Sequence, residues 1–265
     1  MLFRSPQQTV QRRPVLSLYH AAAQLLNGEP ASRIQPYLQA ATSLGSQDTA
    51  SQGVIIIQAL LALWRGNPTQ TMQLGAQALA AIPEQNFFWR GILTGILGMA
   101  HMHTGGDLEI AGRMLEEAVM LGEKGGSVMG AVIALCNLAE VLVIKGQLQA
   151  AKKCYERALK LAVDKHGRRL PVGDMAVVGT AGLLLEWNEL QKAEELLSGL
   201  SNEPQFIWEL DGLLVLARIK QAMGNTKAAQ DLIERAQLVA SGTGATELDD
   251  WSVAAVQAHF WIAQG

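Results

Sequence analysis

Leu135-Cys136-Asn137-Leu138-Ala139-Glu140-Val141-Leu142-Val143-Ile144-Lys145-Gly146-Gln147-Leu148-Gln149-Ala150-Ala151-Lys152-Lys153-Cys154-Tyr155-Glu156-Arg157-Ala158-Leu159 carries the plan of the whole chain. Leu135, Leu138 and Leu142 recur at helical spacing, as do Leu148, Tyr155 and Leu159, and Gly146 separates the two runs. A glycine just past a helix takes the left-handed conformation that closes the last turn without steric cost. Ala151 and Ala158 fall where two helices of a hairpin approach closely and no larger side chain fits. The stretch therefore reads as two helices folded back on each other about a glycine turn, with Tyr155 packed inside.

The same arrangement recurs on both sides of it. Gly28, Gly66, Gly106, Gly146, Asn188, Gly224 and Gly265 mark successive turns at intervals of 38, 40, 40, 42, 36 and 41 residues. Twelve residues past the first six markers stand Ala40, Ala78, Ala118, Ala158, Leu200 and Ala236, and five residues past four of them stand Ala111, Ala151, Ala193 and Ala229. A register held that often is a structural repeat. The pattern predicts helices over 14–27, 30–44, 48–65, 68–82, 87–104, 107–124, 127–145, 148–164, 171–187, 189–199, 204–223, 226–241 and 247–264. No stretch alternates with period two for long enough to argue a strand, and Pro83, Pro171 and Pro204 fall near helix boundaries.

The expected fold is all-α: a right-handed α-solenoid of about thirteen helices in roughly six and a half hairpins. It forms one domain over residues 14–265, with residues 1–13 as an extension or linker. Gly265 stands where a seventh turn should begin, so the chain is expected to be a piece of a longer protein. Its final helix, Leu248–Gln264, is then expected to lack a neighbour and expose Val253, Val256, Phe260 or Trp261.

Composition narrows the function. The chain of 265 residues is 49% hydrophobic and 17% charged, with a mean hydropathy of +0.14. Its longest nearly apolar runs, Val54–Trp64 and Ala131–Ile144, carry Gln58, Asn137 and Glu140 and fall short of the roughly 20 apolar residues a bilayer span needs. The net charge of −3 gives no pull toward phosphate backbones or anionic membranes. No direct nucleic-acid or membrane binding is expected. Cys136 and Cys154 lie inside helical patterns and Met1–Arg13 has no signal-peptide core, so a cytoplasmic setting is expected.

Catalytic patterns are absent. His101 and His103 stand two apart on a helix and point about 200° apart, so they cannot share a metal. There is no CxxC or HExxH spacing, no GxSxG elbow and no Walker-type phosphate loop; Gly122-Glu123-Lys124-Gly125-Gly126-Ser127 is not one. No enzyme activity, cofactor or metal is expected. The basic run Lys165, His166, Arg168 and Arg169 reads foremost as cations offsetting the dipole at the end of helix 148–164, with an anion or partner contact as the alternative.

The Gly146 copy resembles a tetratricopeptide (TPR) repeat, with a unit near 40 residues in place of that family's 34. Longer units of this kind resemble the superhelical arm of MalT-type transcriptional regulators, ATP-dependent activators ending in a LuxR-type DNA-binding domain. The resemblance runs through Arg13-Pro14, Ala78–Ile82-Pro83 leading into Trp89-Arg90-Gly91, and Gly106-Asp107-Leu108 with Ala111 and Glu116-Glu117-Ala118. It is most specific in Gly167-Arg168-Arg169-Leu170-Pro171 followed by Leu183–Leu190 and Ala193. It implies a signal-sensing arm that binds a small-molecule inducer or a regulatory protein and controls ATPase and DNA-binding domains absent from this chain. A free-standing TPR-type protein–protein interaction scaffold is the alternative.

In such superhelices the first helix of each hairpin lines the concave groove. That places Val15, Leu18, Ala22, Leu25, Ile56, Leu60, Leu63, Met99, Met102, Ile133, Cys136, Glu140, Met175, Val178, Gly182, Asp211, Leu214, Arg218 and Gln221 toward it. The apolar entries of the first three repeats are expected to pack on one another, and they hold none of the Lys, Arg and Asn of a carboxylate clamp. Charges directed into an apolar concavity need partners. The candidate ligand- or partner-binding residues are therefore Glu140, Asp211 and Arg218, with Met102, Cys136 and Gln221 beside them.

Overall fold

Short polar side chains open the central helices. Asn67 Oδ1 accepts the N–H of Gln70 at 3.0 Å, Asp107 Oδ1 that of Glu109 at 2.8 Å, and Ser127 Oγ that of Gly130 at 3.2 Å. The computed structural model describes residues 13–26, 31–42, 49–104, 107–200, 209–242 and 247–262. The helices among them are α1 (Pro14–Leu26), α2 (Ala31–Thr42), α3 (Thr49–Trp64), α4 (Pro68–Ala81), α5 (Phe87–His103), α6 (Leu108–Lys124), α7 (Val128–Ile144), α8 (Leu148–Leu161), α9 (Asp174–Glu186), α10 (Leu190–Ser198), α11 (Glu209–Ala222), α12 (Thr226–Gly242) and α13 (Glu247–Ile262). Among the described residues the one strand-like feature is an isolated antiparallel bridge between Val163 and Arg169.

Helix closure repeats along the chain as the turn residues require. Gly66, Gly146, Asn188 and Gly224 all have positive φ. At each, the turn residue donates to the carbonyl three residues back and the next residue donates to the carbonyl five back, as Gly146 does to Val143 and Gln147 to Leu142. This double bond satisfies the end carbonyls and reverses the chain. Gly28, Gly106, Gly265 and Pro204 lie outside the described residues, as does the 1–12 part of the expected extension.

The helices pair α1–α2, α3–α4, α5–α6, α7–α8, α9–α10 and α11–α12, leaving α13 against α11 and α12. Each odd helix also touches the next odd helix, whereas no even helix touches the next even one comparably. The odd helices therefore form a continuous inner layer, and the even helices splay apart on the outside. That asymmetry curves the array and makes the odd-helix face concave. The alanines close the contacts: Ala78, Ala111, Ala151, Ala158, Ala193, Ala229 and Ala236 are all fully buried. In the first hairpin the buried position is Ala41, with Ala40 half-buried.

Five expectations need correction. Helix α8 ends at Leu161, not 164, because the chain turns into a small hairpin. There Asp164 accepts the N–H of His166 and of Arg168, and Arg169 reaches across to Asp174 at 2.8 Å and to the Gly199 carbonyl at 2.8 Å. Arg168 is held by Asp164 at 2.9 Å, so these two arginines tie a loop together and do not offset a helix dipole. The segment 171–173 is a separate 3-10 turn ahead of α9. Leu18, Leu25, Ile56 and Leu63 are buried between neighbouring helices and do not face an open cleft. In α13, Val253 and Phe260 are buried against α11 and α12, Val256 is half-buried, and the exposed apolar side chains are Trp261 and Ile262. The sequence pattern also passed over Pro36, which lies inside α2 with its ring exposed.

Candidate functional site

Helix α7 is apolar on almost every side, because it packs against α5, α6, α8 and α9 at once. Ala131, Val132, Leu135, Ala139 and Val141 are buried along it. Its polar positions are therefore few. Asn137 is buried and returns its side-chain amide to the Ile133 carbonyl at 2.9 Å. Glu140 has no such local solution: it makes no hydrogen bond or ion pair to a described residue. Burial, and then the negative Asp211 of α11, push its carboxyl up to about 8. The Asp211 side chain itself is exposed.

Tyr155 reaches the same region from α8. It is 3% exposed, and its hydroxyl makes no hydrogen bond to a described residue while its oxygen stays open to solvent. The end of its ring lies over α9 where Gly179 has no Cβ: a Cβ built there would stand 2.3 Å from Cε1 and Cζ and 2.7 Å from the hydroxyl oxygen. Burial foremost, then Glu140, Cys136, Cys154 and Asp211, raise the Tyr155 phenol. One turn further along α9, a Cβ on Gly182 would meet nothing within 4 Å. Helix α9 is thus bare of side chain at Gly182 and covered by a tyrosine tip at Gly179.

The other expected residues divide. Cys136 is fully buried, and burial foremost, with Glu140 and Cys154 after it, pushes its thiol up; it backs the wall and does not line it. Arg218 faces α9 but is held by Glu186 at 2.9 Å. Met102 packs with Ala111, Leu115, Leu138 and Val141, away from the carboxylates. Gln221 reaches the His259 carbonyl at 3.5 Å and belongs to the α11–α13 contact. Glu140 and Asp211 thus lie within electrostatic reach of each other and of Tyr155, which the sequence marked only as core. Two glycines three apart inside the α9 helix were the available signal. No group of three or more His, Cys, Asp or Glu among the described residues is arranged to hold a metal ion. No helix among them is long and apolar enough to cross a membrane.

The family model of the MalT-like TPR region matches residues 53–265. The HTH-type transcriptional regulator MalT of Yersinia enterocolitica is 27% identical over 192 residues, 71% of this chain and 21% of the relative. The corresponding regulator of Yersinia pestis is 28% identical over the same shares. The chain thus spans about a fifth of the length of these relatives. Among solved structures, BtubC from P. vanneervenii superposes with a TM-score of 0.54 at 15% identity, over 89% of this chain and 92% of that one. Pseudomonas aeruginosa PilF does so with a TM-score of 0.51 at 15% identity, over 93% and 97%. At such identities the likeness is one of fold.

Proposed function

The chain belongs to the MalT-like TPR family, and from that premise we propose that it is the sensing arm of a larger transcriptional regulator. It binds a small-molecule inducer or a regulatory protein in its concave face and passes the event to ATPase and LuxR-type DNA-binding domains elsewhere in the parent protein, in the cytoplasm. The arm itself performs no catalysis. The observation that carries this reading is that Glu140 and Tyr155 of the fourth hairpin lie within electrostatic reach of Asp211 of the sixth. Among the described residues neither Glu140 nor the Tyr155 hydroxyl has a hydrogen-bond partner, and on the intervening inner helix a Cβ on Gly182 would meet open space.

A site built across hairpins suits a sensor. Each repeat contacts only its neighbours, so a ligand that bridges α7 and α11 across α9 changes how three hairpins sit on one another. Such a ligand has differential affinity for two curvatures of the array, which is what a relayed signal requires. A scaffold that only docks proteins would have no need of unpaired polar groups in a concave apolar wall.

The experiment is a promoter reporter driven by the parent regulator carrying Glu140→Gln. The expected result is loss of the response to inducer with operator binding of the purified regulator unchanged. Unaltered induction by this variant would contradict the reading.

A further inference from the structure

We infer that the convex face of α8 is a docking ridge for an acidic peptide segment of a partner protein, which sets one apolar side chain against Trp187 and lays its carboxylates along Lys153, Lys160 and Lys165. The ridge lies on the outside of the array and stands apart from the concave-face reading above.

The distribution of charge carries the argument. The chain has 21 lysines and arginines and 24 aspartates and glutamates, and the two signs are not evenly mixed. Residues 145–169 hold eight lysines and arginines against two carboxylates, Glu156 and Asp164, and the rest of the chain holds thirteen against twenty-two. The net charge of −3 therefore conceals one basic element in an otherwise acidic protein.

Helix geometry turns that excess outward. Ala151, Tyr155 and Ala158 face the core. Lys153 and Lys160, seven residues apart, share the opposite side and stand about 10 Å from one another along the axis. Both are exposed, as is Lys165 in the small hairpin beyond, and none of the three forms an ion pair with a described residue. The arginines around them are engaged: Arg157 with Glu123 at 2.6 Å, Arg168 with Asp164 at 2.9 Å and Arg169 with Asp174 at 2.8 Å. Glu156, the one acid on the helix, lies 3.9 Å from Lys152.

The second observation is a hollow at the other end of the ridge. Gly146, Gln147, Leu148, Gln149, Ala150 and Trp187 line a shallow, open space of about 390 Å³. Leu148, Ala150 and Trp187 are half-buried, and the Lys152 ammonium stands 5.8 Å from the centre of the Trp187 ring. The hollow offers apolar surface to one side chain, with cations leading away from it. An apolar anchor beside an aromatic ring, followed by charge pairs, is how a short segment gains both affinity and register.

Neighbouring outer helices set the width of the partner. Helix α6 carries the exposed Glu116 and Glu117 on one side, and α10 carries the exposed Glu195 on the other. A broad anionic surface, a nucleic-acid duplex included, would press its charges on those carboxylates. A single segment lying along α8 keeps to the cations.

The test titrates the 265-residue chain with a synthetic peptide of one phenylalanine followed by a run of glutamates. The readouts are the Trp187 indole N–H and the Lys153 and Lys160 amides, followed by NMR. One control peptide replaces the glutamates by glutamines, another replaces the phenylalanine by glycine, and a random-sequence DNA duplex is the third control. The acidic peptide is expected to give saturable shifts at all three positions that shrink as salt rises, with both control peptides much weaker. Lys153→Glu combined with Lys160→Glu is expected to weaken peptide binding roughly tenfold. Both side chains are exposed, so the far-UV circular dichroism of this variant should match that of the parent chain. Unchanged affinity in the variant, equal shifts from the glutamine peptide, or no shifts from the acidic peptide overturn the inference. Stronger shifts from the duplex at equal salt overturn the peptide assignment and make the ridge a phosphate contact.

Discussion

The tip of the Tyr155 ring occupies the place of a Cβ on Gly179, 2.3 Å from where that atom would stand. One missing methyl group thus lets an aromatic residue of α8 pass over the α9 backbone, and it links core packing to the concave face.

Gly179→Ala is expected to destabilise by about 1–3 kcal/mol, the range for forcing extra volume into a packed contact. Gly182→Ala, three residues on with open space at its Cβ, should stabilise by roughly 0.5–1 kcal/mol through helix propensity. Chemical denaturation of the two variants side by side checks the contrast. Equal effects would mean that Tyr155 does not lie over Gly179.

Tyr155→Ala should lower stability by about 3–5 kcal/mol, the usual figure for a buried large aromatic. Tyr155→Phe should be nearly neutral, because the lost hydroxyl has no hydrogen bond to break. In hydrogen exchange the alanine variant should speed exchange in α7, α8 and α9 and leave α1–α3 unchanged, since damage in a repeat array is local. A uniform loss of protection would contradict the nearest-neighbour account.

The repeat itself was legible because a turn that must reverse the chain needs a left-handed residue, and Gly66, Gly146, Asn188 and Gly224 supply it in register. The small residues followed from the same geometry, so helix boundaries fell within a residue or two at most ends. The hairpin at 162–170 was illegible because it rests on Asp164 and Arg169 reaching distant backbone, which no local periodicity encodes. The candidate site was half legible. Charges on a concave apolar face pointed to Glu140 and Asp211, but Tyr155 has the spacing of a core residue. Only the packing shows its hydroxyl leaving the core through a glycine gap. Arg218 looked like a groove cation because Glu186, its partner, lies in the preceding hairpin, 32 residues away.

Gly146→Ala is expected to destabilise by about 1–2 kcal/mol, because its φ of 71° puts a Cβ against the following carbonyl. Asn188→Gly, at φ 59°, should be neutral or slightly stabilising. Thermal unfolding of both variants tests whether the turn residues share one conformation.

Stability should fall as pH rises through the titration of Glu140. Its folded pKa, about 8, is raised above the ordinary carboxylate value, so the folded state holds a proton that the unfolded chain releases. The stabilising protonated state is therefore complete below about pH 4, and its advantage is lost up to about pH 8. Glu140→Gln mimics the protonated acid. It should be near-neutral at acidic pH and stabilise by about 2 kcal/mol at alkaline pH, after solvent screening is allowed for. A pH-independent effect of the variant would place Glu140 in ordinary solvent.

The central claim is that this concave face binds a ligand through Glu140, and a thermal-shift screen of metabolites against the parent chain and Glu140→Gln in parallel tests it most directly. The account predicts at least one compound that stabilises the parent chain, by about 2.7 kcal/mol at one hundred times its dissociation constant, and has little effect on the variant. Compounds that stabilise both proteins equally, or none that stabilises the parent chain, would contradict it.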